Sequence, residues 1–363
     1  MEEKKNEAIL DDLDYVRSFD PDNMYNRIFD LPEQMEKALK LAEVWKVKPE
    51  DFPDAKNIVV IGMGGSAIAG DLVRSFLFDK LLVPFEICRN YELPEYVDDE
   101  TLVIVSSYSG NTEETLAATD DALRRKAMIA AITTGGILED VATLNDIPFI
   151  KIPPGLQPRA AIGFSFVPLL VFLEKIGLVK DVVGEIAGTY KKLEKFREKY
   201  IEDNPSLSNP AKRLAVKINE RIPIIYSGPR LTDAVAIRWK GQICENAKNL
   251  AFANQFPEMN HNELVGWSDI AKQHAEKLLV ILLRDADDHP RIRRRMNIVK
   301  DIIDKLEIEV IDLHSMGETR LERIFSLIQM GDFISYYLAI LNQVDPTPVE
   351  AIESLKARLA ELK

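Results

Sequence analysis

Four hydroxyls crowd one short segment, Ser106, Ser107, Ser109 and Thr112, with Tyr108, Gly110 and Asn111 between them. The segment follows the apolar run TLVIV and leads into EETL, where an amphipathic helical pattern begins. A helix N-terminus presents unpaired N–H groups and positive partial charge, and short hydroxyl donors around it make a cradle for a phosphate dianion that needs no lysine. Gly110 lets the backbone approach closely. The plainer alternative is a cap, with Asn111 or Thr112 at the N-cap and Glu114 completing a capping box. A cap needs one hydroxyl and the loop offers four, and the two roles can coexist. No G-x-x-x-x-G-K-[ST] occurs in the chain, so a Walker-type site is excluded.

A second turn has chemical potential. The run NIVVI ends in Gly62, Met63, Gly64, Gly65, Ser66 and Ala67, which satisfies the G-x-G-x-x-A pattern of a dinucleotide-binding turn. That reading wants a carboxylate closing the second strand. The available Glu86 lies within the strand, which ends near Arg89 and Asn90. The other readings are glycines that serve only a tight turn, and a backbone turn that touches a ligand.

The elements that must position these turns alternate along the chain. NIVVIG, VPFEIC, TLVIVSS, MIAAITT and FIKIP read as strands separated by helical stretches, the pattern of a parallel sheet with crossover helices. Helices over roughly 160–176 and 181–202 follow. Asn204–Asn209, with Pro205 and two serines, reads as a linker. Beyond it the plan repeats, with strands IPIIYSG, KLLVILLRD and EIEVIDL and helices over 211–220, 232–248 and 290–306 and from 318 onward. The expectation is an α/β chain of two similar doubly wound domains, each a mostly parallel sheet flanked by helices. The domains span 1–203, with the phosphate loop, and 204–363, with a C-terminal helical tail.

Composition narrows the function classes. Lys and Arg number 46 against 59 Asp and Glu, a net charge of -13 that repels nucleic-acid backbones and anionic membranes. The one dense basic run, Arg291–Arg295, reads as a solvated helix face. Cys88 and Cys244 form no disulfide framework, and no paired-Cys or H-x-x-x-H spacing suggests a metal. The N-terminus lacks a signal-peptide pattern, and the apolar stretch 160–173 is too short to span a bilayer. A cytoplasmic protein with no metal, cofactor, nucleic-acid or membrane partner is expected.

The Gly-Gly-Ser turn and VSSYSGNTEETL resemble the sugar isomerase (SIS) domains that bind phosphosugars. With PPGLQPRAAIG, WKGQICENAKNLAFANQFPEMNHNELVGW and DPTPVEAIESLK, the chain resembles the bifunctional phosphoglucose/phosphomannose isomerases from about Asn57 to its C-terminus. The resemblance implies a homodimer that converts glucose 6-phosphate and mannose 6-phosphate to fructose 6-phosphate without a cofactor. Carried over by position, Gly64, Gly65, Ser66, Ser107, Ser109 and Thr112 fall at the phosphate site, Arg159 is a catalytic arginine and Glu245 the base. His261 is the ring-opening histidine, given by the neighbouring subunit, and Lys356 lies near the ring oxygen.

Moving one proton between C1 and C2 requires a base that can take it and return it, and a carboxylate suits both duties. By its own text Glu245 is also an ordinary helix-surface glutamate, on a stretch where Trp239, Ile243 and Leu250 are expected to face the core. Arg159 sits among Pro153, Pro154 and Pro158, whose rigidity suits a fixed cation beside an enediolate; its alternative is an arginine bonding loop carbonyls. A histidine near neutral pH suits ring opening, though a loop position such as that of His261 also suits a surface residue. Thr347, just before Pro348, is assigned the room or hydroxyl that would admit the C2 epimer. Two other classes compete: a non-catalytic phosphosugar sensor, and an NAD(P)-dependent oxidoreductase built on the glycine turn.

Overall fold

The computed structural model describes residues 2–361. Met1, Leu362 and Lys363, which fall within the two expected domain ranges, lie outside it. Four helices open the chain: α1 (Glu2–Asp11), α2 (Leu13–Ser18), α3 (Met24–Phe29) and α4 (Leu31–Val44). The first α/β series is β1 (Asn57–Ile61), α5 (Gly64–Phe76), β2 (Phe85–Cys88), β3 (Thr101–Ser107), α6 (Glu113–Arg124), β4 (Met128–Thr133), α7 (Gly136–Leu144) and β5 (Phe149–Lys151). Helices α8 (Ile162–Lys175), α9 (Val182–Arg197) and α10 (Pro210–Ile218) lead into the second series. It comprises β6 (Ile222–Ser227), α11 (Asp233–Ala247), β7 (Phe252–Gln255), α12 (Asp269–Lys272), β8 (Leu278–Arg284), α13 (Pro290–Asp304), β9 (Glu309–His314) and α14 (Arg320–Leu341). The short α15 (Glu350–Ala360) ends the described chain.

The strands pair in parallel throughout, in the orders β2-β1-β3-β4-β5 and β7-β6-β8-β9. The shared order equates β1 with β6, β2 with β7, β3 with β8 and β4 with β9. Two doubly wound units of one plan are present, as the alternation of strand and helix text implies. The strand β7 has no counterpart among the runs read from sequence. It is a sheet edge with half-exposed side chains, so FANQ lacks the apolar density of a central strand.

Side chains alternate across each sheet and bury on both faces. Ile58 and Val60 of β1 join a central core with α5, α8, α11 and α14, whereas Val59 and Ile61 pack outward against Ala118 and Ala122 of α6 and Leu138 of α7. In β8, Leu279, Ile281 and Leu283 enter the same central core, and Val280 and Leu282 face Ile292, Met296 and Val299 of α13. One layer of helices is therefore shared between the sheets. At its centre α14 is long and apolar enough to cross a membrane, and its apolar window is wholly buried inside the protein.

Asn204–Asn209 is firmly tied rather than a loose linker. Ser206 is buried and donates from Oγ to Asp11 Oδ1 at 2.8 Å, and the buried Asn209 caps α10 by accepting from Ala211 N and Lys212 N. The N-terminal helix thus packs on the second half of the chain, across the division at 203/204.

The crevice at the C-terminal ends of β6 and β8 is occupied by the protein's own carboxylates. Asp288 lies against Gly228 and accepts from Asp285 N at 2.9 Å, while Asp285 pairs with Arg323 at 3.0 Å. Burial, with the Asp285 charge close by, raises the Asp288 carboxyl to about 6. Its folded value stands above the unfolded one, so this group adds stability as pH falls from 6 towards 4 and costs about 3 kcal/mol above that window. Asp288→Asn keeps an acceptor for Asp285 N and removes the buried charge. Urea melts at pH 7.5 are expected to show a gain of about 2 kcal/mol that disappears below pH 4. An unchanged midpoint at pH 7.5 would show that the charge carries no such cost.

Candidate active site

The order of the first sheet places a topological switch point between β1 and β3, and the crevice there opens at the strands' C-terminal ends. Two helix N-termini meet at it, α5 beginning at Gly64 and α6 at Glu113. Thr112 is the N-cap of α6, yet its side chain makes no capping bond, so the capping box through Glu114 is not formed. The Thr112 hydroxyl instead accepts from Ser107 Oγ at 3.2 Å, and Ser107 Oγ accepts from Gly110 N at 3.2 Å. Ser66 Oγ accepts from Tyr108 N at 3.2 Å, joining the two turns, and Ser109 Oγ accepts from Asn111 N. Gly110 has a φ of +69°, and a Cβ there would overlap the Gly135 carbonyl oxygen, so only glycine lets the loop fold over β4.

The glycine turn owes its composition to a close approach. A Cβ at Gly65 would stand 2.6 Å from Pro158 O and 2.9 Å from Arg159 N. The first turn of α5 is thereby pressed onto the segment that carries Arg159. The end of β2, where a dinucleotide site wants a carboxylate, carries Arg89, ion-paired with the buried Asp71 of α5.

Arg159 is buried, with 4 % of its side chain exposed, and each of its nitrogens is bonded. Nε donates to Asn246 Oδ1 at 2.6 Å, Nη2 to Pro346 O at 2.8 Å and Thr347 O at 2.7 Å, and Nη1 to Glu245 Oε2 at 3.4 Å. Burial pulls the guanidinium below its usual value, and the Glu245 carboxylate opposes that. The backbone is held as well: Arg238 donates to Arg159 O at 3.0 Å and to Asp332 at 2.6 Å, and Gln242 donates to the same carboxylate at 2.8 Å. A planar fork with this many fixed partners keeps one orientation.

Glu245 lies on α11 with 31 % of its side chain exposed. It borders a cleft of about 200 Å³ whose other walls are Gly64, Gly65, Arg89, Arg159 and Lys240. A second cavity of about 560 Å³, between α11 and the chain around Asp345–Ile352, opens on its other side. The structure therefore gathers Gly64, Gly65, Arg159 and Glu245 around one cleft, with Thr347 behind Arg159 and Ser66, Ser107, Ser109 and Thr112 in the adjoining cradle. The Thr347 hydroxyl is buried without a partner. His261, in a turn over Glu258–His261, and Lys356, on α15, are exposed and line neither cavity.

Trp239 and Ile243 face the core as expected, but Leu250 does not, being 64 % exposed. Helix α11 ends at Ala247, and Lys248, with a φ of 52°, turns the chain so that Leu250 leaves the helical face. Arg238, Gln242 and Asn246 also belong to the network around Arg159 and are not among the site residues expected from the sequence. Their spacing of i, i+4, i+8 is a signal, since a polar stripe beside Trp239 and Ile243 marks a buried network rather than a solvated face.

Two parallel α/β units with a hydroxyl cradle at the first switch point define a SIS-type phosphosugar protein. Residues 51–148 match the SIS domain family, and residues 207–359 match the bacterial phospho-glucose isomerase C-terminal SIS domain. A bifunctional phosphoglucose/phosphomannose isomerase of Caldicellulosiruptor bescii is 48 % identical over 342 residues, covering 94 % of this chain and all of the relative. One of Aquifex aeolicus is 37 % identical over 319 residues, covering 87 % of this chain and 94 % of the relative. In fold, a hypothetical protein from Thermus thermophilus superposes with a TM-score of 0.75 at 14 % identity, over 99 % of this chain and 95 % of that one. The chain belongs to the bifunctional phosphoglucose/phosphomannose isomerase family.

Proposed function

We propose that the protein interconverts glucose 6-phosphate and mannose 6-phosphate with fructose 6-phosphate, and that Glu245 carries the proton between C1 and C2. The observation that carries this reading is the Glu245 carboxylate 3.4 Å from the buried Arg159 guanidinium, on a cleft walled by the Gly64–Gly65 turn. Phosphate is held by Ser66, Ser107, Ser109, Thr112 and the N–H groups of the two helix starts. The sugar then extends past Gly65 towards Glu245. Proton removal from C2 of the aldose, or C1 of the ketose, gives one enediolate whose charge Arg159 balances. Return of the proton to C1, with the hydroxyl proton passing from O2 to O1, gives the ketose, and return to either face of C2, with that proton on O2, gives the glucose or the mannose epimer. Thr347, whose hydroxyl is buried behind Arg159 and which lines neither cavity, is assigned to tolerate both through the room it leaves rather than through contact with the sugar.

Ring opening falls to His261 with Lys356 near the ring oxygen, in a homodimer whose partner subunit brings His261 to the site. Support for a dimer comes from α15, where Ile352, Leu355 and Leu359 are exposed. The polarising charge is assigned to Arg159 rather than to a metal; among the described residues no three His, Cys, Asp or Glu side chains are grouped to hold one. Both cysteines are free, which fits a reducing, cytoplasmic setting.

A coupled assay with chelator present tests the reading, which expects turnover of both hexose 6-phosphates. Ligand-induced stabilisation without turnover of either would make the protein a sensor instead. The cradle has its own signature. Ser107→Ala and Thr112→Val are each expected to raise KM about tenfold while kcat stays within about threefold, because the phosphate is bound equally in ground and transition states. A fall in kcat at unchanged KM would remove these hydroxyls from phosphate binding.

A further inference from the structure

Lys248 is absent from the site residues read from sequence, yet it touches the scaffold of Arg159 on two sides. It follows α11 in a left-handed conformation, which folds its side chain back over the helix end. Its Nζ donates to Glu245 O at 2.9 Å and to Asn246 O at 3.3 Å, two carbonyls in the last turn of the helix that carries the carboxylate. A third bond, to Asp345 O at 2.7 Å, crosses to a segment nearly a hundred residues away. The next two carbonyls of that segment, Pro346 O and Thr347 O, are those that grip Arg159 Nη2. Glu245 and Asn246 hold the other edge of the same guanidinium.

We propose that Lys248 is a positioning residue, a charged staple between the end of α11 and the Asp345–Thr347 segment that fixes the carbonyl pair holding Arg159. The inference rests on the isomerase reading for its kinetic consequence, though the staple itself is testable without it. The groups facing the ammonium are Arg159, Glu245, Asp345 and Glu350. Lys248 is exposed along its stem, but partial desolvation of its ammonium at the helix end, with repulsion by Arg159, outweighs the three carboxylates and lowers it to about 8. Loss of its proton weakens three charge-assisted bonds at once. Wild-type kcat is therefore expected to decline between pH 8 and 9, with KM little changed, because the phosphate cradle is not attached to the staple.

Lys248→Met and Lys248→Arg test this by kinetics from pH 7 to 10 together with backbone amide exchange. For Lys248→Met, kcat at pH 7.5 is expected to fall about 10- to 100-fold, with KM within about threefold and no further decline at alkaline pH. Lys248→Arg keeps its charge throughout and is expected to restore most of kcat and to abolish the decline. Exchange over residues 344–349 is expected to quicken about tenfold in Lys248→Met. A residue that merely caps α11 would lower thermal stability and leave both the pH profile and that exchange as in wild type, which would overturn the proposal. So would a rise in KM in place of the fall in kcat. If the wild type turns over no hexose phosphate, the isomerase reading fails, and the amide exchange still decides whether the staple exists.

Discussion

Glu245→Gln is expected to reduce kcat for glucose 6-phosphate and mannose 6-phosphate together by about 10³-fold, within the range a positioned base contributes. Glutamine is isosteric and its carbonyl oxygen still accepts from Arg159, so the geometry of the cleft survives. The loss is confined to the ability to hold a proton. Both substrates fall by the same factor, because one enediolate serves both epimers. KM is expected to stay within about threefold, since the phosphate cradle supplies most of the ground-state binding. Stopped assays in each direction measure the effect. A variant that loses one epimer's turnover and keeps the other's would require a second base.

Arg159→Lys is the other large effect. Lysine keeps the positive charge but offers a single rotating ammonium where Asn246, Pro346, Thr347 and Glu245 require a planar fork. The enediolate then faces a displaced charge, and kcat is expected to fall about 10²- to 10³-fold, as for removal of one preorganised donor at a developing oxyanion. At least one buried carbonyl loses its donor as well. Urea melts are expected to show a loss of about 2 kcal/mol. Near-normal kcat in a destabilised variant would make Arg159 a structural brace only.

The fold was legible wherever burial on both faces of a sheet wrote continuous apolar runs, as in NIVVIG, TLVIVSS and KLLVILLRD. It was illegible at the edge strand β7, where half-exposed FANQ carries no such run. The hydroxyl loop could be read from one local segment, because the groups that form the cradle are adjacent in sequence. Arg159 could not be placed that way. Its partners lie 86 to 188 residues along the chain, so the cage exists only after the two halves have packed. Glu245 has the text of a solvated helix residue, and only the family resemblance singles it out in the sequence; its 3.4 Å contact with Arg159 joins residues 86 positions apart. The three polar residues beside it, Arg238, Gln242 and Asn246, have the text of a solvated face but are buried in the fold. Asn204–Asn209 differs for a similar reason: serine, asparagine and proline read as a linker, but Ser206 is satisfied by α1 and Asn209 by the start of α10.

The most direct test follows fructose 6-phosphate by proton NMR with wild type and Glu245→Gln side by side, in chelator-containing buffer. Wild type is expected to produce both glucose 6-phosphate and mannose 6-phosphate, and the folded variant to produce neither on the same timescale. Equal rates in the two proteins would contradict the assignment of proton transfer to Glu245.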